Sequence, residues 1–148
     1  MAKDIGVGAG AIVEFNPTAD GSTWVQVGCA TELTLPDAGE LADIDATCLE
    51  SVAAVMRPGI PGPSEGTVIQ IFDPGDTGDV AVQSAYDAKT VCDWRFVFPA
   101  DGGKTFTGTF EAYVKNLAHP TVSGTDALQR EVMLMKTGAL TWTVENPV

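Results

Sequence analysis

A two-residue alternation of apolar and polar side chains runs through the last third of the chain, after Lys104. The apolar positions of the first stretch are Phe106, Phe110, Ala112 and Val114, and the polar positions between them include Thr105, Thr107, Thr109 and Glu111. Because successive side chains of a β-strand point to opposite faces, this period predicts strands with one buried face. Two further segments, Leu128–Met135 and Gly138–Val144, continue the pattern, so we predict three strands here.

Earlier segments add more strands and one helix. The predicted strands are Ile12–Phe15, Trp24–Val27, Leu41–Leu49, Thr67–Phe72 and Val91–Phe98. The helix is predicted over about residues 78–89, with Thr77 or Asp76 as its N-cap and an apolar stripe at Val82, Ala85 and Tyr86. The predicted fold class is therefore mainly β, a two-sheet sandwich or barrel with one flanking helix. At 148 residues the chain fits a single domain over 1–148, with a glycine-rich N-terminal arm over about 1–11.

The segment over about 50–66 is predicted to be a long inter-strand loop. Three prolines and three glycines lie between Arg57 and Gly66, which disfavours regular strand pairing. The segment nevertheless keeps large apolar side chains that a purely solvated loop does not need. We predict a docking loop centred on Val55, Met56, Arg57 and Ile60.

The charge balance restricts the partners of the chain. Eight basic and 20 acidic residues give a net charge of −12. Adhesion to nucleic acid requires lysine and arginine at the phosphates, and binding to an anionic membrane requires the same charges. We therefore predict neither kind of binding, and the residues near Met1 show no signal peptide. The three cysteines, an odd number without paired spacing, are typical of reduced thiols.

No group of side chains predicts catalysis or a bound metal or cofactor. Asp73, Asp76 and Asp79 have turn and helix-cap spacing, not that of a calcium loop. The single histidine, His119, stands beside a proline in a turn, without a second ligand nearby in sequence. We predict that the chain is not an enzyme and has no cofactor.

The succession of segments resembles the major tail tube proteins of long-tailed bacteriophages with non-contractile tails. The resembling segments are Asp45–Leu49, Arg57–Gly62, Phe106–Lys115 and Gly138–Thr143. Their order is a strand ending near a threonine, a Gly/Pro loop, a strand, a short helix and aromatic strands. The last of these strands carries Gly-x-x-Thr-Trp-Thr. The resemblance covers about residues 25–144, and no single motif within it is diagnostic.

The resemblance implies a structural virion protein with a β-sandwich or barrel fold. Such proteins form hexameric rings that stack into a hollow tube, with the long loop and the terminal arms bridging adjacent rings. The implied partners are other copies of the chain, a tape-measure protein, and tail terminator and tail-tip proteins. Viral DNA passes through the lumen without specific binding. The implied location is the virion tail, and the host cytoplasm during assembly.

Alternation marks three carboxylates as candidates for the lumen: Asp43, Asp45 and Glu111. Six subunits at −12 each would place about −72 on a ring, which keeps DNA from sticking. The alternative hypothesis is a carbohydrate-binding or adhesive β-sandwich that uses Trp24, Trp94 or Trp142 as a stacking platform. A small hydrolase is a third hypothesis, for which no catalytic group can be assembled from one histidine and scattered serines.

Overall fold

The computed structural model describes residues 3–17 and 23–146, and within them the chain is mainly β with one α-helix. This confirms the predicted fold class. The strands are β1 (Ile12–Asn16), β2 (Val25–Val27), β3 (Ala30–Thr34), β4 (Leu41–Asp45), β5 (Met56–Pro61), β6 (Ser64–Ile71), β7 (Cys92–Pro99), β8 (Thr105–Ala118) and β9 (Gln129–Glu145). The helix, α1, is Thr77–Ala88, and a single 3₁₀ turn over Asp101–Gly103 joins β7 to β8.

Seven strands form one antiparallel sheet, in the order β2-β1-β7-β8-β9-β6-β3. Strands β2 and β3 lie at opposite edges of this sheet, yet only Gly28 and Cys29 separate them in sequence. Three Cα–Cα steps of 3.8 Å span at most about 11 Å. The sheet is therefore curled so that its two edges approach each other, which makes an incompletely closed barrel.

The apolar side chains fill the concave side of this curl. Phe15 stacks on Trp94 with ring centroids 4.6 Å apart, and Phe96 meets Phe110 edge to face at 5.5 Å. The remaining buried apolar side chains include Val13, Val27, Val68, Val132 and Leu134. Cys92, Trp94 and Phe96 of β7 and Phe110, Ala112 and Val114 of β8 contribute to this core, as the alternation predicts. At the start of β8 the pattern fails, because Phe106 is only partly buried and Thr107 is buried. Fully burying one such side chain contributes about 1.5–3 kcal/mol to folding.

Helix α1 begins one residue before the predicted start and covers part of the core. Asp76 caps it by accepting a 3.1 Å hydrogen bond from the Gly78 N–H, and Val82 and Ala85 are buried. The third stripe residue, Tyr86, is at the surface. In the part of the chain that the structure describes, no helix has the length and apolar character needed to cross a membrane.

A buried polar cluster fixes the start of α1 on the sheet. The Asp79 carboxylate accepts hydrogen bonds from the Gln70 side chain and from the Asp73 N–H (2.9 Å). Arg130 donates to the Asp79 carbonyl oxygen at 3.2 Å, and its guanidinium lies 4.4 Å from the centre of the Phe72 ring. Burial lowers the pKa of Arg130, and the Asp79 charge opposes that shift. The cluster favours one position for the helix because a displacement would break these buried hydrogen bonds.

The prediction of three strands in the last third is wrong, because two long strands are present there. Gly138 has a positive φ of +81°, which marks the predicted break. Pairing between β8 and β9 nevertheless continues across it, with Glu111 opposite Thr137 and Thr109 opposite Thr141. A register shift between these pairs absorbs the irregular residue as a β-bulge.

The prediction of a loop over 50–66 is also wrong for most of its second half. Met56–Pro61 is strand β5, which pairs with β4, and β6 already begins at Ser64. The prolines are tolerated because a two-stranded ribbon has an outer side on which a missing N–H costs no ladder bond. Strand β4 ends at Asp45 and not at the predicted Leu49. Strand β3 escaped prediction, since a register shift after Ala30 breaks its alternation.

Candidate assembly surfaces

Strands β4 and β5 form a hairpin separate from the main sheet, and we call Leu41–Pro61 the arm. Every residue from Leu41 to Glu50 is exposed. Its exposed large apolar side chains are Leu41, Ile44, Leu49, Val52, Met56 and Ile60, of which Leu49 and Val52 are 106% and 105% exposed. An isolated two-stranded hairpin is marginal in water, and clustered apolar exposure is typical of interaction sites.

The tip of the arm, residues 46–55, is held in a defined shape. Thr47 ties its two sides together, because its hydroxyl accepts from the Val55 N–H at 2.7 Å. The Thr47 N–H donates to the Asp45 carboxylate at 2.9 Å, which lowers the pKa of Asp45. The Ser51 hydroxyl lies 3.4 Å from the Cys48 sulfur, and this contact lowers the pKa of the exposed Cys48 thiol. The tip thus presents its apolar side chains from a preorganised backbone.

The base of the arm is closed by a tight backbone contact. The Gly62 N–H donates to the Glu40 carbonyl at 2.7 Å. Beside it, Gly39 has φ +96°, and a Cβ there would come within 2.5 Å of the Gly62 carbonyl oxygen. Only glycine fits this position, so the place where the arm leaves the body is fixed by the sequence.

The structure brings the predicted docking residues together on this arm. Met56, Arg57 and Ile60 are in β5, and Val55 directly precedes it. Asp43 and Asp45, predicted for the lumen, are in the neighbouring strand, with Asp45 opposite Met56. Leu49 was predicted to end a strand and Val52 to lie in the loop over about 50–66, but neither was among the predicted docking residues. Their signal was two large apolar side chains flanking Glu50 and Ser51 in a turn.

The third predicted lumen carboxylate, Glu111, lies on the main sheet and not on the arm. It belongs to a polar face of β7, β8 and β9 that we call the hydroxyl face: Arg95, Thr105, Thr107, Thr109, Glu111, Thr137, Thr141 and Thr143. Glu111 stands opposite Asp93, and the two border a groove of about 440 Å³. Two like charges in direct cross-strand register destabilise a sheet, so this face keeps its acidic character at some cost in stability.

The second half of β9, residues 137–145, is an unpaired edge of the sheet. On one side it pairs with β8, from Thr109 opposite Thr141 to Thr105 opposite Glu145. On the other side, β6 pairs with β9 only as far as Lys136. Within residues 3–17 and 23–146, no strand pairs with the outer side of Thr137–Glu145. Such an edge offers free N–H and C=O groups to a strand of another chain.

The positions weighed for other functions have structural partners. His119 bonds through its Nδ1 to the Gln129 carbonyl at 3.1 Å, and its ring lies against Phe72. Asp73, Asp76 and Asp79 accept from backbone N–H groups of the turn and of α1. The residues that the structure describes include no group of three or more His, Cys, Asp or Glu able to hold a metal ion.

The tryptophans do not form a shared platform for a sugar. Trp94 is buried in the core, and the Arg95 guanidinium covers Trp24 at 4.0 Å. Trp142 is about half exposed, and its ring tilts against Phe98. A stacking platform requires open aromatic faces, and one tryptophan offers this only in part.

The curled sheet, with its single helix and its hairpin arm, has the fold of tail tube proteins. The SPP1 tail tube, solved by solid-state NMR and cryo-EM, matches 95% of this chain and 80% of its own at 15% identity and a TM-score of 0.64. The tail of an empty gene transfer agent particle, refined with C6 symmetry, matches 93% of this chain and 98% of its own at 15% identity and a TM-score of 0.66. The sheath–tube complex of the extracellular contractile injection system PVC matches 93% and 88% at 14% identity and a TM-score of 0.58.

At such identities the likeness establishes the fold alone. No protein-family model and no curated protein sequence matches the chain. The predicted resemblance to siphovirus-type tail tube proteins is thus confirmed at the level of the fold.

Proposed function

We propose that this protein is a structural virion protein that assembles, with copies of itself, into the tube of a phage tail. The observation that carries the proposal is the arm. It is a structured hairpin that exposes six large apolar side chains although the body of the protein has a complete core. Burying apolar area at about 25 cal/mol per Å² would stabilise a contact with an adjacent subunit. We assign the arm to contacts between successive rings.

The free edge of β9 supports closure of the subunits into rings. A neighbouring strand that paired with Thr137–Glu145 would satisfy its open backbone groups and extend the sheet from one subunit to the next. Repetition around an axis removes every free edge. The C6 symmetry of the gene transfer agent tail supports six subunits in each ring of this protein.

The hydroxyl face is our candidate for the lumen wall. Its exposed threonines, Thr137, Thr141 and Thr143, carry no positive charge for phosphate, and its one arginine, Arg95, is paired with Glu14. Glu111 with Asp93 adds negative charge. DNA would slide past such a wall on its way from capsid to host. For Asp43 and Asp45, which lie on the arm, a position at the lumen stays a prediction.

A tube of this kind needs further partners. We propose a tape-measure protein in the lumen during assembly, and terminator and tail-tip proteins at the two ends. Support for a terminator comes from similar folds in the sheath/tube terminator of PVC and in the tube-terminating cap of the anti-feeding prophage. The location would be the virion tail, preceded by assembly in the host cytoplasm.

Excision of the arm tests the function. Because Glu40 and Gly62 already share a 2.7 Å hydrogen bond, two glycines can replace Leu41–Pro61 without displacing either neighbour. We expect this variant to unfold at the same urea concentration as the unchanged chain and to form no long tubes in electron microscopy. Long tubes formed by the excised variant at the normal yield would refute the assignment of the arm.

The matched control keeps the arm and all of its large apolar side chains. Replacing Ala54, whose side chain is exposed at the tip, with serine leaves all six in place. We expect this control to form tubes, because the apolar area supplies most of the stabilisation.

A further inference from the structure

A groove at the end of α1 combines both tyrosines of the chain with two lysines. It has a volume of about 560 Å³ and is lined by Tyr86, Asp87, Lys89, Tyr113, Val114 and Lys115. The tyrosines are each 39% exposed, so their rings form an accessible apolar floor. In a chain with only eight basic residues and a net charge of −12, two lysines beside one groove are a local exception.

Of the two lysines at the groove, Lys115 forms a salt bridge and Lys89 forms none among the described residues. The Lys115 ammonium donates to Glu65, which raises the pKa of Lys115. Asp87 accepts from the Gln83 side chain within α1 at 3.2 Å. The four salt bridges found among the described residues do not include Lys89.

The backbone at Lys89 has a conformation that favours glycine. Lys89 ends α1 with φ +56° and ψ +39°, and the Thr90 N–H closes the helix on the Ala85 carbonyl. Glycine is the usual residue at such a helix end because it has no Cβ to strain. A lysine at this position brings a long cationic side chain to the groove despite the strain.

The tip of the arm has the complementary chemistry. Leu49 and Val52 project fully into solvent on either side of Glu50. The arm, Leu41–Pro61, holds three carboxylates and a single arginine, so as a whole it is acidic. Apolar side chains that flank a carboxylate fit a floor of aromatic rings with a lysine at its rim.

We propose that the groove between α1 and β8 receives the arm tip of a second copy of this chain, with Leu49 and Val52 on the tyrosines and Glu50 at Lys89. This inference rests on the proposed function, since it names the place on the adjacent ring where the arm docks. It assigns a role to the C-terminal end of α1, which is exposed beside the groove.

Crosslinking through the natural thiol of the tip tests the contact. Of the three cysteines, Cys29 and Cys48 are exposed and Cys92 is buried. In a Cys29→Ser background, Cys48 is the remaining exposed thiol, and its lowered pKa favours reaction with maleimides. Adding Asp87→Cys places a second thiol in the groove. With a short bismaleimide, we expect assembled tubes to give a ladder of covalent multimers on denaturing gels.

The control places the second thiol elsewhere. Thr125→Cys, in the exposed loop before β9, should give at least tenfold less multimer than Asp87→Cys in tubes of equal length. Equal crosslinking of the two variants would refute docking of the arm tip in this groove. The proposed function would stand, because it rests on tubes that depend on the arm. If arm excision left tube formation unchanged, the proposed function and this inference would both fall.

A second variant separates contact from folding. Lys89→Gly relieves the strained backbone, so the subunit should unfold at the same or a higher urea concentration. We expect the same variant to yield severalfold fewer tubes, because the cation at the rim of the groove is gone. Normal tube yield from a stable Lys89→Gly variant would show that Lys89 takes no part in docking.

Discussion

At the scale of single residues, the close approach of α1 to β2 depends on Gly78. A Cβ built on this glycine would stand 2.1 Å from the carbonyl oxygen of Gln26. The helix could escape only by moving away from β2, and Asp79, the next residue, is held in the buried cluster with Gln70 and Arg130. The Gln26 carbonyl beside Gly78 and the buried contacts of Asp79 together leave no room for a side chain at position 78.

We therefore predict that Gly78→Ala destabilises the protein. Helix propensity alone would favour alanine by up to about 1 kcal/mol, whereas overpacking against backbone costs about 1–3 kcal/mol. The clash should exceed the propensity gain, so the free energy of unfolding, measured by urea titration, should fall. Gly124→Ala is the control, because a Cβ there meets nothing within 4 Å. Equal stability of the two variants would contradict the geometry.

The sequence alone predicts part of this residue-scale detail. The cap at Asp76 and the buried Val82 and Ala85 are local patterns, and both are confirmed. The need for glycine at position 78 is not local, because it depends on a carbonyl group of β2. The same holds for Arg130, whose partner Asp79 lies in a different element.

At the scale of elements, the free edge of β9 is the part of the sheet most open to pairing with another chain. Native proteins prevent edge-to-edge pairing by placing lysine or other charges on edge strands. In residues 137–145 the only charged side chain is Glu145, at the end of the strand. The absence of a blocking charge along this edge is what a strand that pairs with another subunit requires.

Thr143→Lys should block this pairing. Thr143 is exposed on the hydroxyl face, so the stability of the subunit should change by less than about 0.5 kcal/mol. Ring and tube formation, followed by electron microscopy and light scattering, should fall sharply. Thr125→Lys, an identical change in the exposed loop before β9, should leave assembly unaffected. Tubes from both variants in equal yield would show that the edge does not join subunits.

Alternation predicts strands well where one face is buried, as in β7 and β8. It fails where irregular residues interrupt a strand without ending it, as Gly138 does in β9, since pairing with β8 carries the strand through. It fails again in β5, whose exposed residues follow no burial pattern because neither face of the hairpin contacts a core. Of the candidate site, the sequence placed Val55, Met56, Arg57 and Ile60 in one segment, and their docking role stays a prediction. It could not reveal that Glu111 lies on a different sheet from Asp43 and Asp45.

At the scale of the whole molecule, the net charge of −12 opposes assembly. In the proposed ring, six copies would together carry about −72, and the repulsion is long-ranged at low ionic strength. Raising the salt concentration from about 0.01 M to about 0.15 M shortens the Debye length from about 30 Å to about 8 Å. We predict that tube formation, measured by sedimentation, increases over this range because the apolar contacts are little affected.

The fraction of polymerised protein at equal protein concentration is the quantity to compare. An increase with salt would show that net repulsion exceeds the attraction of the few opposite charges at the contacts. Tubes that dissolved as salt rose would instead show that charged contacts, such as Glu50 with Lys89, dominate the interface. Arm-excised protein serves as the baseline, since it should stay unpolymerised at every salt concentration.

The two-residue link at Gly28 and Cys29 has a consequence for how the subunit's sheet folds and how it would yield under tension in the proposed tube. Glu14 of β1 bonds to Arg95 of the neighbouring strand β7 across 81 positions of chain, so this part of the sheet joins distant segments. Folds dominated by such distant pairings are slow to form. The link ties the two edge strands, β2 and β3, to each other, so a displacement of one pulls on the other. We expect a subunit under tension to hold its shape up to a threshold and then to open in a single step.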